Sequence, residues 1–395
     1  MQASHPQKSH ERDIKEYFSS VRAYTESLCK PLEIEDYIPQ PIVDVSPAKW
    51  HIAHTTWFFE EMILKQFVPN YRVFDPDFAF LFNSYYNSIG ERTPRAQRGA
   101  MSRPTVKRVF EYRKYIDDKM LEFLSGPSVS ASVTDLVILG LNHEQQHQEL
   151  LLTDLKYTFS LNPLLPVYRE NFAPIEIVDS EAEGFVETEA GVYEVGYDGD
   201  GFCFDNELSR HRVFLEDNRI EKRLITNREF VEFIEDGGYR NANLWHSDGW
   251  EWVNTDSIDK PLYWIERDGE PFNYTFAGLR KLSLDAPVAH VSFYEAAAFA
   301  EWKEMRLPTE FEWEAASDKF DWGLRWEWTN SAYLPYPGCN RSPGAVGEYN
   351  GKFMINQMVL RGASVITPPG HSRNTYRNFF SPHLRWQYTG IRLAK

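Results

Sequence analysis

Two pairs of histidines carry most of the chemical content of this chain. His143 and His147 stand four apart in Leu139–Leu152, a stretch with leucines at helical spacing and no proline. At that spacing two imidazoles project from one helix face and can grip a single metal ion. Imidazole suits Zn, Fe, Cu and Ni, so the pair alone does not choose the metal. Upstream, His51 and His54 lie three apart in Ser46–Glu60, close enough that at most one of them need be a ligand. Either pair alone also reads as polar or packed histidines on a helix. Together they point to a neutral three-histidine site with open coordination positions, as a catalytic metal needs.

Glu144 follows His143, in the slot where a zinc hydrolase of the HExxH kind keeps its general base. No third ligand follows downstream in a suitable context, which argues against that chemistry.

The histidines need helices to hold them. Helical patterning covers about 11–29, 46–68, 104–125 and 131–160. Ser46 reads as an N-cap with Pro47 at the first helical position, Ser102–Thr105 supplies the third start, and Ser132 or Thr134 with Asp135 caps the fourth. Four helices with the histidines on the second and fourth predict a bundle with its site between facing helices. The connection 69–103 contains Tyr85 and Tyr86 and, towards its end, Arg92, Arg95, Arg98 and Arg103; loops of that length are usually functional.

The text changes near residue 165. Proline-rich and acidic sequence gives way to short strands and aromatics, with strand patterns at 191–197 and 212–215, helices at 226–236 and 292–305, and a tail of strand, long loop and closing strand from Arg361 to Ala394. The expected organisation is a helical domain over 1–165 and an α+β domain over 166–395. Aromatic residues make up 15% of the chain and the formal charge is −16, which disfavours nucleic acid and anionic membranes as partners. Three dispersed cysteines, Cys29, Cys203 and Cys339, provide neither a CxxC pair nor a disulfide framework. With no apolar signal core at the start and no spanning run, the expectation is a soluble cytoplasmic protein; oligomeric state is not legible.

Asn206-Glu207, Arg210–Val213, Thr226–Phe230, Pro287–Ser292, Arg306–Ala316, Arg361–Ser364 and Gly390–Arg392 occur in order over about 187–395 and resemble the formylglycine-generating-enzyme family. The resemblance implies a C-type-lectin-like fold. That family's chemistry uses a cysteine pair near the C-terminus, where this chain has only Cys339, so formylglycine formation is expected to be absent.

Lys49–Glu60 and His143–Leu150 resemble the DinB-like bundle of the ergothioneine-pathway sulfoxide synthases, which join such a bundle to such a C-terminal fold. The resemblance spans nearly the whole chain. It implies a mononuclear non-haem Fe(II) oxidoreductase that uses O2 to join a cysteine thiol to the imidazole C2 of hercynine as a sulfoxide. By the family pattern His51, His143 and His147 are the iron ligands, His54 packs, and Gln146 hydrogen-bonds the substrate imidazole. Asn378, Phe379 and Phe380 stand where the family binds hercynine, whose quaternary ammonium favours aromatic faces.

Family members that use γ-glutamylcysteine carry Asp and Arg where this chain has Phe380 and Leu384, so free cysteine is the expected donor. The pair Tyr85-Tyr86 fits the cysteine-using branch, in which a phenol near the metal supplies a proton. The carboxylate of cysteine needs a cation from among Arg92, Arg95, Arg98 and Arg103. Alternatives on the same scaffold are a selenoneine-type synthase taking a selenosugar and an ovothiol-type synthase, which usually carries an added methyltransferase domain not expected here. A catalytically silent lectin-like protein with a structural metal is the reading from another class, and such a site would normally be closed by a fourth ligand.

Overall fold

The computed structural model describes residues 13–84, 86, 90–126, 129–172, 183–339 and 350–395. Four helices form the N-terminal half: α1 (Ile14–Cys29), α2 (Ala48–Phe59), α5 (Val106–Leu124) and α6 (Ala131–Ser160). Helix α2 runs through a π-helical turn (Glu60–Leu64) into the short α3 (Lys65–Phe67), and α4 (Phe78–Leu81) lies in the long connection. The starts differ slightly from expectation. Pro47, not Ser46, occupies the N-cap of α2, and the Ser46 hydroxyl instead accepts from Arg98 Nη1 at 2.9 Å. Helix α6 is capped by the Ser130 hydroxyl rather than by Ser132, Thr134 or Asp135, whereas Thr105 caps α5.

Every residue of α2 is buried, and α6 buries Asn142, His143, Glu144, Gln145, Gln148, Asp154 and Lys156 alongside its leucines. A helix buried all round must be covered on both sides. One side of α6 meets α1 and α2; the other meets the C-terminal half, which reaches it through Trp326, Ser364, Tyr376, Trp386 and Tyr388. The core of the bundle accordingly continues through Tyr168, Tyr263, Phe276, Trp386 and Tyr388. Beyond residue 165 the chain packs back on the bundle, the Tyr168 hydroxyl donating to the Leu28 carbonyl at 2.5 Å.

The C-terminal half, an α+β portion, is built on short elements. A four-stranded sheet has the order β10 (Asn378–Phe380), β9 (Met358–Gly362), β8 (Trp326–Ala332), β11 (Thr389–Gly390), with β11 parallel to β8 and the other pairs antiparallel. Around it lie the pairs β1 (Phe185–Thr188) with β4 (Asn218–Glu221) and β2 (Gly191–Val195) with β3 (His211–Leu215), and the meander β5 (Trp264–Arg267), β6 (Glu270–Thr275), β7 (Gly278–Lys281). Helices α7 (Asn227–Glu235), α9 (Phe293–Trp302) and α10 (Glu310–Ala316) each begin with a capping box, Thr226 with Glu229, Ser292 with Glu295 and Thr309 with Glu312; α8 (Ser247–Thr255) has no side-chain cap. The box satisfies two orphan N–H groups reciprocally and fixes each start locally.

The charged residues that make this half recognisable are architectural. Arg377 pairs with Glu310 at 2.8 Å, Arg361 with Glu314 at 2.5 Å and Arg392 with Glu327 at 2.6 Å, all buried. Arg306 is bound by Glu312 at 2.8 Å, which ties α10 to the chain ahead of it. The loop Ser381–Gln387 that follows β10 is held to α6 by the bond from the Trp386 indole to Asp154 at 2.9 Å.

Candidate metal centre and substrate cavity

The structure assembles a trio different from the expected one. His54, His143 and His147 bring one ligand atom each to within 4.8 Å of one another, and their ring centroids are 4.6–4.9 Å apart. His51 stands beside them rather than among them. Its Nδ1 meets His147 Nδ1 at 2.9 Å and its Nε2 meets Asp154 Oδ2 at 3.0 Å, so both nitrogens are engaged by protein. His54, expected to pack, does so as well: its ring stacks on Trp50 and Trp57, at 4.5 and 5.6 Å between centroids.

The donor set suits a divalent metal. His54 Nδ1 donates to the Phe82 carbonyl at 2.7 Å, which leaves Nε2 as its lone-pair nitrogen, and that atom is buried with no hydrogen-bond partner among the described residues. Metal-bound histidines characteristically place their second nitrogen in such a bond. Burial, followed by the charges of its neighbours, holds His54 and His147 well below the ordinary histidine value, and burial brings His143 down to about 4. All three are therefore neutral at neutral pH, the form that coordinates.

Glu144 takes no part. It points to the opposite side of α6, where it accepts from Arg22 Nη1 at 2.8 Å, Arg113 Nη2 at 2.6 Å and the Thr25 hydroxyl at 2.6 Å. The HExxH-type base position is thus a structural anchor, in keeping with the argument against a hydrolase.

Above the histidines opens a cavity of about 710 Å³ lined by both halves of the chain. His51, His143, Gln146 and His147 come from the bundle; Trp326, Tyr376, Asn378, Phe379, Phe380, Leu384 and Trp386 come from the C-terminal half. The Gln146 amide donates to the Tyr376 hydroxyl at 2.7 Å. Asn378 Oδ1 accepts from the Phe379 N–H at 2.9 Å, Phe379 is stapled face to face on Tyr333 at 4.1 Å, and Phe380 meets Trp386 edge-on at 6.4 Å.

The four arginines separate. Arg98 is buried, with its guanidinium 3.4 Å from the Trp50 ring centroid and bonds to Ser46 Oγ at 2.9 Å and Ser84 Oγ at 3.1 Å. Burial, and then the charge of Arg95, push it down to about 9. Arg92 and Arg95 line the cavity from its exposed rim, bonded to the Ser84 and Asp44 carbonyls. Arg103 is exposed, bonds the Ser102 carbonyl and is not among the residues lining this cavity.

Tyr85 lies outside the described residues. Tyr86 is buried against Trp57, the rings stacked at 5.5 Å, and does not line the cavity.

Sequence reasoning missed Asp154, Glu149, Tyr376, Trp326 and Trp386. Asp154 and Glu149 had a visible signal: both are acids within the apolar run that follows His147, and Asp154 falls seven residues after it, on the same helix face. Glu149 accepts from Trp326 Nε1 at 2.7 Å, Ser364 Oγ at 2.6 Å and Thr367 Oγ1 at 2.7 Å, and burial pushes its carboxyl up. The tryptophans and Tyr376 carried no local signal, since their place depends on docking of the two halves.

Comparison with known proteins gives a consistent picture. The DinB superfamily matches residues 17–151, and the sulfatase-modifying factor enzyme 1-like domain matches residues 173–325. Curated relatives include the hercynine oxygenase of Mycobacterium tuberculosis, 26% identical over 89% of this chain and 91% of the relative. Those of Mycolicibacterium smegmatis (29% identical, 65% of this chain, 70% of the relative) and Mycolicibacterium thermoresistibile (26%, 89% and 87%) are also similar. Among the described residues no helix is long and apolar enough to cross a membrane.

Proposed function

Because the chain is a homologue of the hercynine oxygenases, with a DinB-like domain ahead of a sulfatase-modifying-factor-like one, we propose that it is an Fe(II)- and O2-dependent oxidoreductase that joins the thiol of free cysteine to the imidazole C2 of hercynine, giving the sulfoxide. The observation that supports this most directly is the trio of neutral histidines, His54, His143 and His147, of which His143 and His147 line an aromatic cavity shared by both halves. In this reading these three residues hold the metal, and His51 supports His147. Bound iron would supply oxygen activation and a site for the thiolate.

The chain's own residues do the rest. Gln146, adjacent to His147 and lining the cavity, presents its amide to the substrate imidazole in this reading. Asn378 and the faces of Phe379, Phe380 and Trp386 form a wall for the trimethylammonium group, which has no N–H to donate and is attracted to aromatic rings. Arg98 at depth, with Arg92 and Arg95 at the rim, meets the carboxylates; guanidinium pairs suit them geometrically. Phe380 and Leu384 give the cavity wall no charge for a glutamyl arm, which favours cysteine over γ-glutamylcysteine.

A proton donor is also needed. Tyr376 is a phenol within the cavity: Gln146 donates to its oxygen, the hydroxyl also meets His371 Nε2 at 3.3 Å, and burial raises its pKa and keeps it protonated at neutral pH. We propose Tyr376 beside Tyr85 for this role and assign Tyr86 to packing. The test is a reconstituted assay with Fe(II), O2 and hercynine, offered cysteine, γ-glutamylcysteine or a selenosugar in separate reactions, with products read by mass. The cysteine adduct is expected; a selenium adduct alone, or none from any donor, overturns the reading.

A further inference from the structure

Asp154 sits seven residues beyond His147 on α6, buried, and every group that meets its carboxylate is a donor. Oδ2 accepts from the Ser46 N–H at 2.7 Å and from His51 Nε2 at 3.0 Å; Oδ1 accepts from the Trp386 indole at 2.9 Å. A carboxylate can only accept, so the ring proton of His51 is on Nε2. In a neutral imidazole the other nitrogen is then an acceptor.

His51 Nδ1 faces His147 Nδ1 at 2.9 Å. Two lone pairs at that distance repel, so His147 must carry its proton on Nδ1 and its lone pair on Nε2. The same logic acts independently at His54, whose Nδ1 is held by the Phe82 carbonyl. The geometry points to Asp154 and His51 as positioning residues, a carboxylate–imidazole relay that sets the tautomer and ring orientation of His147 so that its Nε2 is the coordinating atom. The inference rests on the reading that His54, His143 and His147 hold the metal. It also gives the C-terminal half a part in the metal site, since the third donor on the carboxylate, Trp386, comes from there.

Replacing Asp154 by asparagine tests the relay. The amide has one acceptor and one donor group in place of two acceptor oxygens, and it faces three donors. It can bind His51 in the opposite tautomer, which would send the proton of His147 to Nε2.

The experiment titrates Co(II) into apo protein anaerobically and follows the visible ligand-field bands, with circular dichroism of each apo variant. Wild type is compared with Asp154→Asn, His51→Leu, His51→Asn and His54→Ala. Loss of an outer-shell partner typically costs about 10–100-fold in metal affinity. Asp154→Asn and His51→Leu are expected to weaken Co(II) by that factor and shift the bands. His51→Asn, which keeps an acceptor near the position of Nδ1, should recover part of the loss. His54→Ala should lose the site.

Wild-type affinity and bands in both Asp154→Asn and His51→Leu, with His54→Ala inactive in binding, overturn the relay and leave the trio standing. Loss of the site in His51→Leu and His51→Asn alike, with His54→Ala still binding, makes His51 the ligand and overturns the trio itself. Should Asp154→Asn fail to fold, the His51→Leu and His51→Asn pair decides, since both leave the carboxylate with its other partners.

Discussion

The Trp386 indole donates to Asp154 across 2.9 Å, joining the loop that follows β10 to the helix that carries two of the clustered histidines. The same helix face holds three more such joints. Gln146 meets Tyr376 at 2.7 Å, Glu149 meets Trp326 at 2.7 Å, and Lys156 meets His290 at 2.8 Å and Tyr388 at 3.2 Å. Hydrogen bonds depend on angle and distance more steeply than apolar packing does, so these joints fix the C-terminal wall of the cavity in register with the histidines. A cavity made at such a seam exists only when the halves are docked.

Donor choice should follow charge. The glutamyl arm of γ-glutamylcysteine would place charge against Phe380 and Leu384, and an unpaired buried charge or polar group costs at least a few kcal/mol. Cysteine is expected to be preferred by orders of magnitude in kcat/KM. Phe380→Asp combined with Leu384→Arg should narrow that gap, as measured by competition between the two thiols.

Tyr376→Phe keeps the ring and removes the hydroxyl that Gln146 engages. If this phenol supplies the proton, the variant should bind metal and hercynine normally while cysteine is diverted from the sulfoxide towards sulfinic acid. Tyr86→Phe should leave product partition unchanged, because that ring is stacked on Trp57 outside the cavity. Mass analysis of both products in each variant, with Tyr85→Phe alongside, separates the three phenols; a wild-type ratio in Tyr376→Phe removes it from the role.

Acid stability should report Glu144. Burial raises its carboxyl, but the charges of Arg113 and Arg22 and the bond from Thr25 bring it down to about 2 from the ordinary 4.5. A depressed folded-state value means the contribution to stability is present above about pH 4.5 and lost as the pH falls towards 2. Glu144→Gln leaves the buried Arg113 guanidinium poorly paired, while Arg22 keeps Asp117 at 2.6 Å, and should cost about 3–5 kcal/mol at neutral pH. Denaturant midpoints measured against pH should show the gap between variant and wild type closing on acidification.

Gly140 tests the crossing of α6 on α2. A Cβ there would stand 2.7 Å from a carbon of the Phe58 ring and 2.9 Å from one of Phe59, so a methyl group must push one ring aside. Gly140→Ala is expected to destabilise by about 1–3 kcal/mol through overpacking. It should also weaken metal retention, since His143 lies one turn further along. A melting temperature equal to wild type with full metal content would show that the rings yield freely.

Much of the bundle was determined by the sequence alone. The four helical spans follow from apolar periodicity and absence of proline, and the spacing of His143 and His147 guarantees a shared face whatever surrounds them; in the C-terminal half, three capping boxes fix helix starts through contacts only three residues apart. Which upstream histidine joins that face was not determined locally. His51 and His54 point only about 60° apart around α2, and the choice depends on how α2 is rotated against α6. That rotation is set by Trp50, Trp57 and Phe58 packing where Gly140 lets the helices approach. The roles of Asp154, Tyr376, Arg98 and Trp386 were decided in the same way, because each acts through a partner between 52 and 232 residues away along the chain. Only the docking of the two halves creates the cavity wall that these partners share.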